Sequence, residues 1–165
     1  MQGGTSIFVD AFRTAERLQA QSPSAFTALS RTPVSYHYIN DGHHLHHAHP
    51  IISLSNSHPN RIEHINYSPP FQAPLPIDTP DDFYDALKAF AKLLDAKDGR
   101  YEYLLREGDA VIFDNRRILH ARTEFRETGE ILEGETSRWL KGCYLEADDV
   151  LDRLRCLSKR ATLSS

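Results

Sequence analysis

Between Gly108 and Tyr144 the chain reads GDAVIFDNRRILHAR, then a polar connection, then GETSRWLKGCY. The apolar runs in this stretch are short and are punctuated by Gly, Asp and Asn, so they predict strands, not helices. His120 stands near the end of one run and Arg138 opens the next. On neighbouring strands, an imidazole and a guanidinium would face one cavity. Such an arrangement belongs to a sheet-built domain.

The rest of the chain is consistent with that frame. Thr5 to Asp10 (TSIFVD) predicts a short buried strand after the Gly3-Gly4 turn. Ala11 to Gln21 carries Phe12, Ala15 and Leu18 at helical spacing. Pro23 suits the first position of a second helix, with Ser22 as its N-cap and Phe26 and Leu29 inward. Val34 to Ile39 alternates as a strand does, and Asn40-Asp41-Gly42 is a turn signal. Strands are expected at Ile51–Leu54 and Arg61–Tyr67. Four prolines between Ser68 and Pro76 predict an extended loop. Thr79-Pro80-Asp81-Asp82 predicts a helix start, with Thr79 as cap and Pro80 first. Phe83, Leu87, Phe90 and Leu94 fall on one face of that helix, which should end near Lys97. A strand pair is expected at Tyr101–Leu105 and Ala110–Asp114 around Glu107-Gly108-Asp109. Strands follow at Ile118–Thr123 and Ser137–Leu145, joined by a polar connection over Glu124–Glu135. A last helix begins at Asp148 or Asp149 with Val150, Leu151, Leu154 and Leu157 apolar, and frays after Lys159. The expected fold class is mainly β with flanking helices, part of a jelly roll.

Composition narrows the function. The 165 residues suffice for one domain with one core. A net charge of −4 with scattered basic residues argues against nucleic acid. No apolar run approaches the ~20 residues of a membrane span. Cys143 and Cys156 lack CxxC spacing, which favours a reducing compartment over a disulfide framework. Paired carboxylates for hydrolysis, a serine nucleophile elbow and a phosphate-cradling glycine loop are absent from the sequence.

His120 alone is weak evidence of chemistry, because most histidines bind no metal. Arg138 alone is weaker, because most arginines are solvated or in surface ion pairs. Together they mean more. A guanidinium matches a carboxylate bidentately. A non-haem iron site takes two histidines and one carboxylate on one face of the metal and leaves positions open. Arg122, two residues after His120, shares its strand face and either supports a bound carboxylate or pairs with an acid. The tract HHLHHAHPII holds His43, His44, His46, His47 and His49. His43 and His47 have the spacing of a helical pair that could take zinc or nickel. The alternative is a solvated loop.

GDAVIFDNRRILHAR and SRWLKGCY resemble the C-terminal motifs of the γ-butyrobetaine and trimethyllysine dioxygenases, within the taurine-dioxygenase-like Fe(II) and 2-oxoglutarate oxygenases. GGTSIFVDAFRTAERLQAQSPSAFTALSRTPV, FYDALKAF and YLEADDVLDRLR resemble further segments of that family in the same order. The resemblance implies a partial double-stranded β-helix. By position it implies that His120 is an iron ligand, that Arg138 holds the 2-oxoglutarate carboxylate, and that Tyr144 is one wall of an aromatic cage. Such a cage suits a trimethylammonium substrate, which has no N–H to donate and is held by cation–π attraction, ~0.5–2 kcal/mol per contact. Without the resemblance Tyr144 reads as a half-buried strand tyrosine. Asn66 aligns with a polar substrate-site residue. Ascorbate enters as an accessory reductant. No residue is assigned a general acid, base or nucleophile role.

The departures are as specific. The family's other two iron ligands come from an H-x-D/E motif, and none of the nine histidines here is followed two residues later by Asp or Glu. One histidine cannot hold catalytic iron. Residues 1–165 are therefore expected to be a single dioxygenase domain lacking its upstream part and inactive alone, with its first strand short of a neighbour. The implied reaction is hydroxylation of γ-butyrobetaine to L-carnitine in the cytoplasm, favoured by the spellings SRWLKGCY and INYSPPFQAP. The alternatives are hydroxylation of trimethyllysine, which would be mitochondrial, and a non-catalytic remnant. A homodimer is an option for a full-length enzyme.

Overall fold

The computed structural model describes residues 2–126 and 139–163, and for Gln2, Arg126 and Leu163 the backbone alone. The chain divides into two compact units, residues 1–126 and 127–165.

In the first unit, β1 (Gln2–Gly3) leads into β2 (Ser6–Asp10). Helix α1 (Ala11–Gln21) starts at once, because the Asp10 carboxylate caps it by accepting from the Arg13 N–H. Helix α2 (Pro23–Arg31) is capped by Ser22, whose hydroxyl accepts from the Ala25 N–H, with Pro23 in the first turn as expected. The strands β3 (Pro33–Asn40) and β4 (His43–Pro50) form a hairpin about Asp41 and Gly42, which have φ of +52° and +78°. Asp and Gly are the residues that tolerate that conformation. A second hairpin pairs β5 (Ile52–Leu54) with β6 (Ile62–Ile65).

Helix α3 spans Asp81–Leu94. Its cap is displaced by one residue from the expected position. Pro80 is the N-cap, and the Thr79 hydroxyl instead donates to the Pro76 carbonyl at 2.7 Å. Phe83, Ala86, Phe90 and Leu94 form its buried face. They meet Leu18 of α1, Phe26 and Leu29 of α2, and Val34, Ile51 and Ile52 in the core.

Strand β7 (Arg100–Tyr103) and β8 (Ile118–Arg122) flank β2 on its two sides, both antiparallel. The expectation that the first strand lacks a neighbour is thus corrected: β2 is the centre of a three-stranded sheet, order β7-β2-β8. The expected pairing of Tyr101–Leu105 with Ala110–Asp114 is also corrected. Strand β7 takes β2 as its partner, and 110–114 forms no strand. The turn itself exists, with Gly108 at φ +86° and the Asp109 N–H donating to the Arg106 carbonyl. Beyond it Phe113 spends its ring on Phe8 instead of a ladder position. Strand β9 (Phe125–Arg126) pairs with β1. Gly3 is obligatory there, because a Cβ would lie 2.2 Å from the Glu124 carbonyl oxygen and its φ is +88°.

In the second unit, residues 139–146 have no regular structure, so the strand expected up to Leu145 is absent over its described part. Helix α4 (Ala147–Leu163) follows, with Asp148 and Asp149 in its first turn, and runs past the expected fraying point. Val150, Leu151, Leu154 and Leu157 line one stripe of it and are half-exposed. Cys143 and Cys156 are free and exposed.

Sheets and helices are both present among the described residues, as strands with flanking helices require. Among the described residues the strands form four small antiparallel sheets. Among the described residues no helix is long and apolar enough to cross a membrane.

Candidate functional site

The sheet β7-β2-β8 has two unlike faces. Residues directly opposite in antiparallel strands point to the same side. Ile7 and Val9 of β2 therefore share a side with Leu119 of β8, and these pack toward the core. The other side collects Phe8 opposite both Tyr101 and His120, and Ser6 opposite both Tyr103 and Arg122. His120 and Arg122 thus share a face, as the alternation predicts.

Three rings meet on that face. Phe113 stands edge-on to Phe8 at 5.6 Å between centroids and tilted over His120 at 5.0 Å. Tyr101 and Tyr103 stack beside them at 6.3 Å. His120 remains exposed. Arg122 has an aromatic neighbour on this face. Its guanidinium lies over the Phe125 ring, 4.8 Å from the centroid, and makes no ion pair among the described residues.

The lead-in to β8 is held tightly. Arg116 and Ile118 donate backbone N–H bonds to the Asp114 carboxylate and carbonyl respectively, at 2.9 and 2.8 Å. The Arg117 carbonyl accepts from the Ala11 N–H at 3.0 Å, and the Arg116 carbonyl from the Ile65 N–H at 3.0 Å. The Arg117 guanidinium grips Asp10 through Nε at 3.1 and 3.2 Å and Nη2 at 2.6 Å. That guanidinium holds the Asp10 carboxyl below its usual range. Sequence reading missed this pair, since nothing local links positions 107 residues apart. A cavity of about 300 Å³ opens beside it, lined by Phe8, Asp10, Arg13, Arg17, Arg100 and Tyr101 among others.

Asn66 serves the scaffold. Its side-chain amide donates to the Pro50 carbonyl and the Ser53 hydroxyl, both at 2.9 Å, and the Asn66 backbone carbonyl accepts from the Tyr36 hydroxyl at 2.6 Å. Both amide donors are committed within the fold. Tyr144 lies in the second unit, is 86% exposed and stands outside any strand, so the half-buried strand alternative fails. Arg138 lies outside the described residues. The structure therefore brings His120 and Arg122 together, and not Asn66.

A three-donor iron centre does not fit the described residues by themselves. The ring neighbours of His120 are Phe113 and, through it, Phe8, and no group of three or more His, Cys, Asp or Glu side chains among the described residues converges to hold a metal. The His43–His49 tract is neither helix nor loop. It is strand β4, so a helical His43/His47 pair is ruled out.

Comparison with known proteins sets these features in a family. The taurine catabolism dioxygenase TauD, TfdA family matches residues 1–144. This chain belongs to that family of dioxygenases. It is 52% identical to dioxygenase str8 of Strobilurus tenacellus over 95% of its own length and 37% of that protein's. It is 32% identical to human γ-butyrobetaine dioxygenase, covering 96% of this chain and 41% of the relative. It is also 32% identical to the mitochondrial trimethyllysine dioxygenase of Gallus gallus, covering 96% and 37%. The chain thus spans about two fifths of the length of these relatives.

Proposed function

We propose that this chain forms the C-terminal part of the site of an Fe(II)- and 2-oxoglutarate-dependent hydroxylase, on a partial double-stranded β-helix of which β7-β2-β8 is one wall. The carrying observation is the face that presents His120 and Arg122 side by side among Phe8, Phe113, Tyr101 and Tyr103. His120 would offer its imidazole to iron, and Arg138 would hold the cosubstrate carboxylate. Tyr144 would contribute one cation–π contact to a trimethylammonium group. The remaining two metal donors would come from an H-x-D/E segment that these 165 residues do not contain.

γ-Butyrobetaine is the first substrate to test, and trimethyllysine the second. The 52% identity to dioxygenase str8, against 32% to the γ-butyrobetaine and trimethyllysine enzymes, favours as an alternative a substrate that is neither. The cytoplasm is the proposed compartment, or the mitochondrion for a trimethyllysine enzyme.

The test is to read the transcript through and upstream of the Met1 codon, express the whole reading frame, and follow 2-oxoglutarate decarboxylation with each candidate substrate. Turnover should vanish on His120→Ala, and the 165-residue chain alone should give none. Turnover that survives His120→Ala, or turnover by the short chain alone, would sink the assignment. A reading frame with no H-x-D/E motif and no turnover would establish a non-catalytic remnant.

A further inference from the structure

The β3–β4 hairpin carries six of the protein's nine histidines, and the proposed dioxygenase chemistry uses none of them. Its register sorts them by face. His46 lies directly opposite His37, and His44 lies opposite Ile39. His37, His44 and His46 therefore share one side, the side away from the fully buried Val34. His43, His47 and His49 share the other, where burial lowers the basicity of His49, helped by His47 and His64.

On the first side the imidazoles are already gathered. The Nε2 atoms of His44 and His46 are 2.7 Å apart, with ring centroids at 4.6 Å. The His37 ring stands edge-on to His46 at 5.8 Å. Two nitrogens bound to one zinc at 2.0–2.1 Å are separated by about 2.9–3.3 Å, depending on geometry. The His44 and His46 nitrogens now share an imidazole–imidazole hydrogen bond, so to chelate a tetrahedral zinc the pair must give up that bond, turn both lone pairs to a common point and open by about 0.6 Å. His37 does not yet point at the same spot. It is a half-buried side chain on an exposed ribbon, and rotation about its side-chain torsions is enough to swing its ring toward the pair.

We propose that His37, His44 and His46, whose rings do not converge as they stand, close on zinc(II) at the outer face of the β3–β4 hairpin, with His44 and His46 as the adjacent pair and His37 as the third ligand. The donor chemistry selects the metal class. Three neutral imidazoles are an established zinc donor set with a fourth position left to water. An all-nitrogen set of this kind favours late divalent metals over magnesium or calcium. The alternation of the strand is what makes the site. His-x-His places two rings on one face, and the cross-strand neighbour brings the third within reach. The inference does not depend on the dioxygenase reading, since no residue is shared with it.

The test is isothermal titration of the full chain with zinc chloride near neutral pH. One equivalent should bind, and binding should weaken on acidification, because imidazole must be neutral to ligate. Loss of a mere outer-shell partner costs about 10–100-fold in metal affinity, so His44→Gln with His46→Gln should cost more than about 100-fold. His37→Gln should weaken binding by less. His43→Gln with His47→Gln on the opposite face, and His120→Ala, should leave it intact. Absence of a stoichiometric site, or binding that survives the His44/His46 change, overturns the proposal. So does equal loss in the His43/His47 variant. An unaffected His37→Gln variant removes His37 as a ligand. Should the double variant fail to fold, the visible spectrum of the cobalt(II)-loaded wild type decides: intense four-coordinate bands support the site, and a pale six-coordinate spectrum rejects it.

Discussion

The Asp10–Arg117 pair ties the start of α1 to the approach of β8, and its removal has a calculable cost. Asp10 does two things at once. It caps α1 by accepting from the Arg13 N–H, and it receives the Arg117 fork. The cap is worth about 1 kcal/mol. The ion pair is half-open to water, with side-chain exposures of 50% for Arg117 and 31% for Asp10. Its contribution is therefore that of a surface pair, about 0.2–1 kcal/mol, and not that of a buried one. Asp10→Ala should cost about 1–2 kcal/mol, and since each kcal/mol moves the midpoint of a domain this size by about 2–4 °C, Tm should fall by about 2–8 °C. Asp10→Asn retains a capping oxygen and loses only the charge, so it should cost no more than about 1 kcal/mol. The pair also sets an acid limb. The Asp10 carboxyl is held below its ordinary value of 3.8, chiefly by the Arg117 bond. A depressed folded-state pKa contributes stability at pH values above the unfolded one and loses it as pH falls through the folded one. The gap between wild type and Asp10→Ala should therefore be full at pH 5–7 and shrink below about pH 4. Urea unfolding of wild type, Asp10→Ala, Asp10→Asn and Arg117→Ala at pH 7 and pH 3 measures it. Equal costs for the Ala and Asn variants at pH 7, or a gap unchanged at pH 3, would refute the two-part account.

Three further outcomes are expected. Phe90→Ala empties a fully buried site against Tyr67 and the α1–α2 core and should cost about 3–5 kcal/mol in urea unfolding. Asn66→Ala leaves the Pro50 carbonyl and the Ser53 hydroxyl without their amide partner and should destabilise by about 1–3 kcal/mol; an unchanged unfolding midpoint would show that Asn66 is free for another role. Burial, with Tyr67 nearby, pushes the Tyr36 phenol up to about 12. Its protonated form is favoured in the fold, so the associated stability is present below pH 10 and is lost as pH rises toward 12, which ultraviolet tyrosinate titration of the folded chain would follow.

Much of the local structure was legible residue by residue. Ser22 before Pro23 marks the start of α2, Asp41-Gly42 marks the β3–β4 turn, and Phe83, Phe90 and Leu94 mark the inner face of α3. Each signal acts over a few residues, through a cap, a permitted φ or a helical period. The misreadings lie where two local solutions were equally good. Ala110–Asp114 has strand composition, but β2 claimed both β7 and β8 as partners, and Phe113 went to Phe8 and His120 instead. Helical spacing in His43–His47 lost to strand pairing with Val34–Ile39, because a period of two and a period of four agree on the same residues.

For the candidate site, the sequence by itself determined the parts: His120 with Arg122 two residues on, Arg138 and Tyr144 within matched family segments, and His-x-His in β4. The readings of His120 with Arg122 and of His-x-His depend on residue type and spacing along one strand, which any extended backbone preserves, whereas those of Arg138 and Tyr144 come from the family resemblance. Only the tertiary structure decided what the parts face. It set Phe113 over His120, Phe125 under Arg122, Arg117 on Asp10 and His37 across from His46. These contacts join positions far apart in the chain, and they exist only once strand register and sheet order have been selected by the burial of the opposite faces.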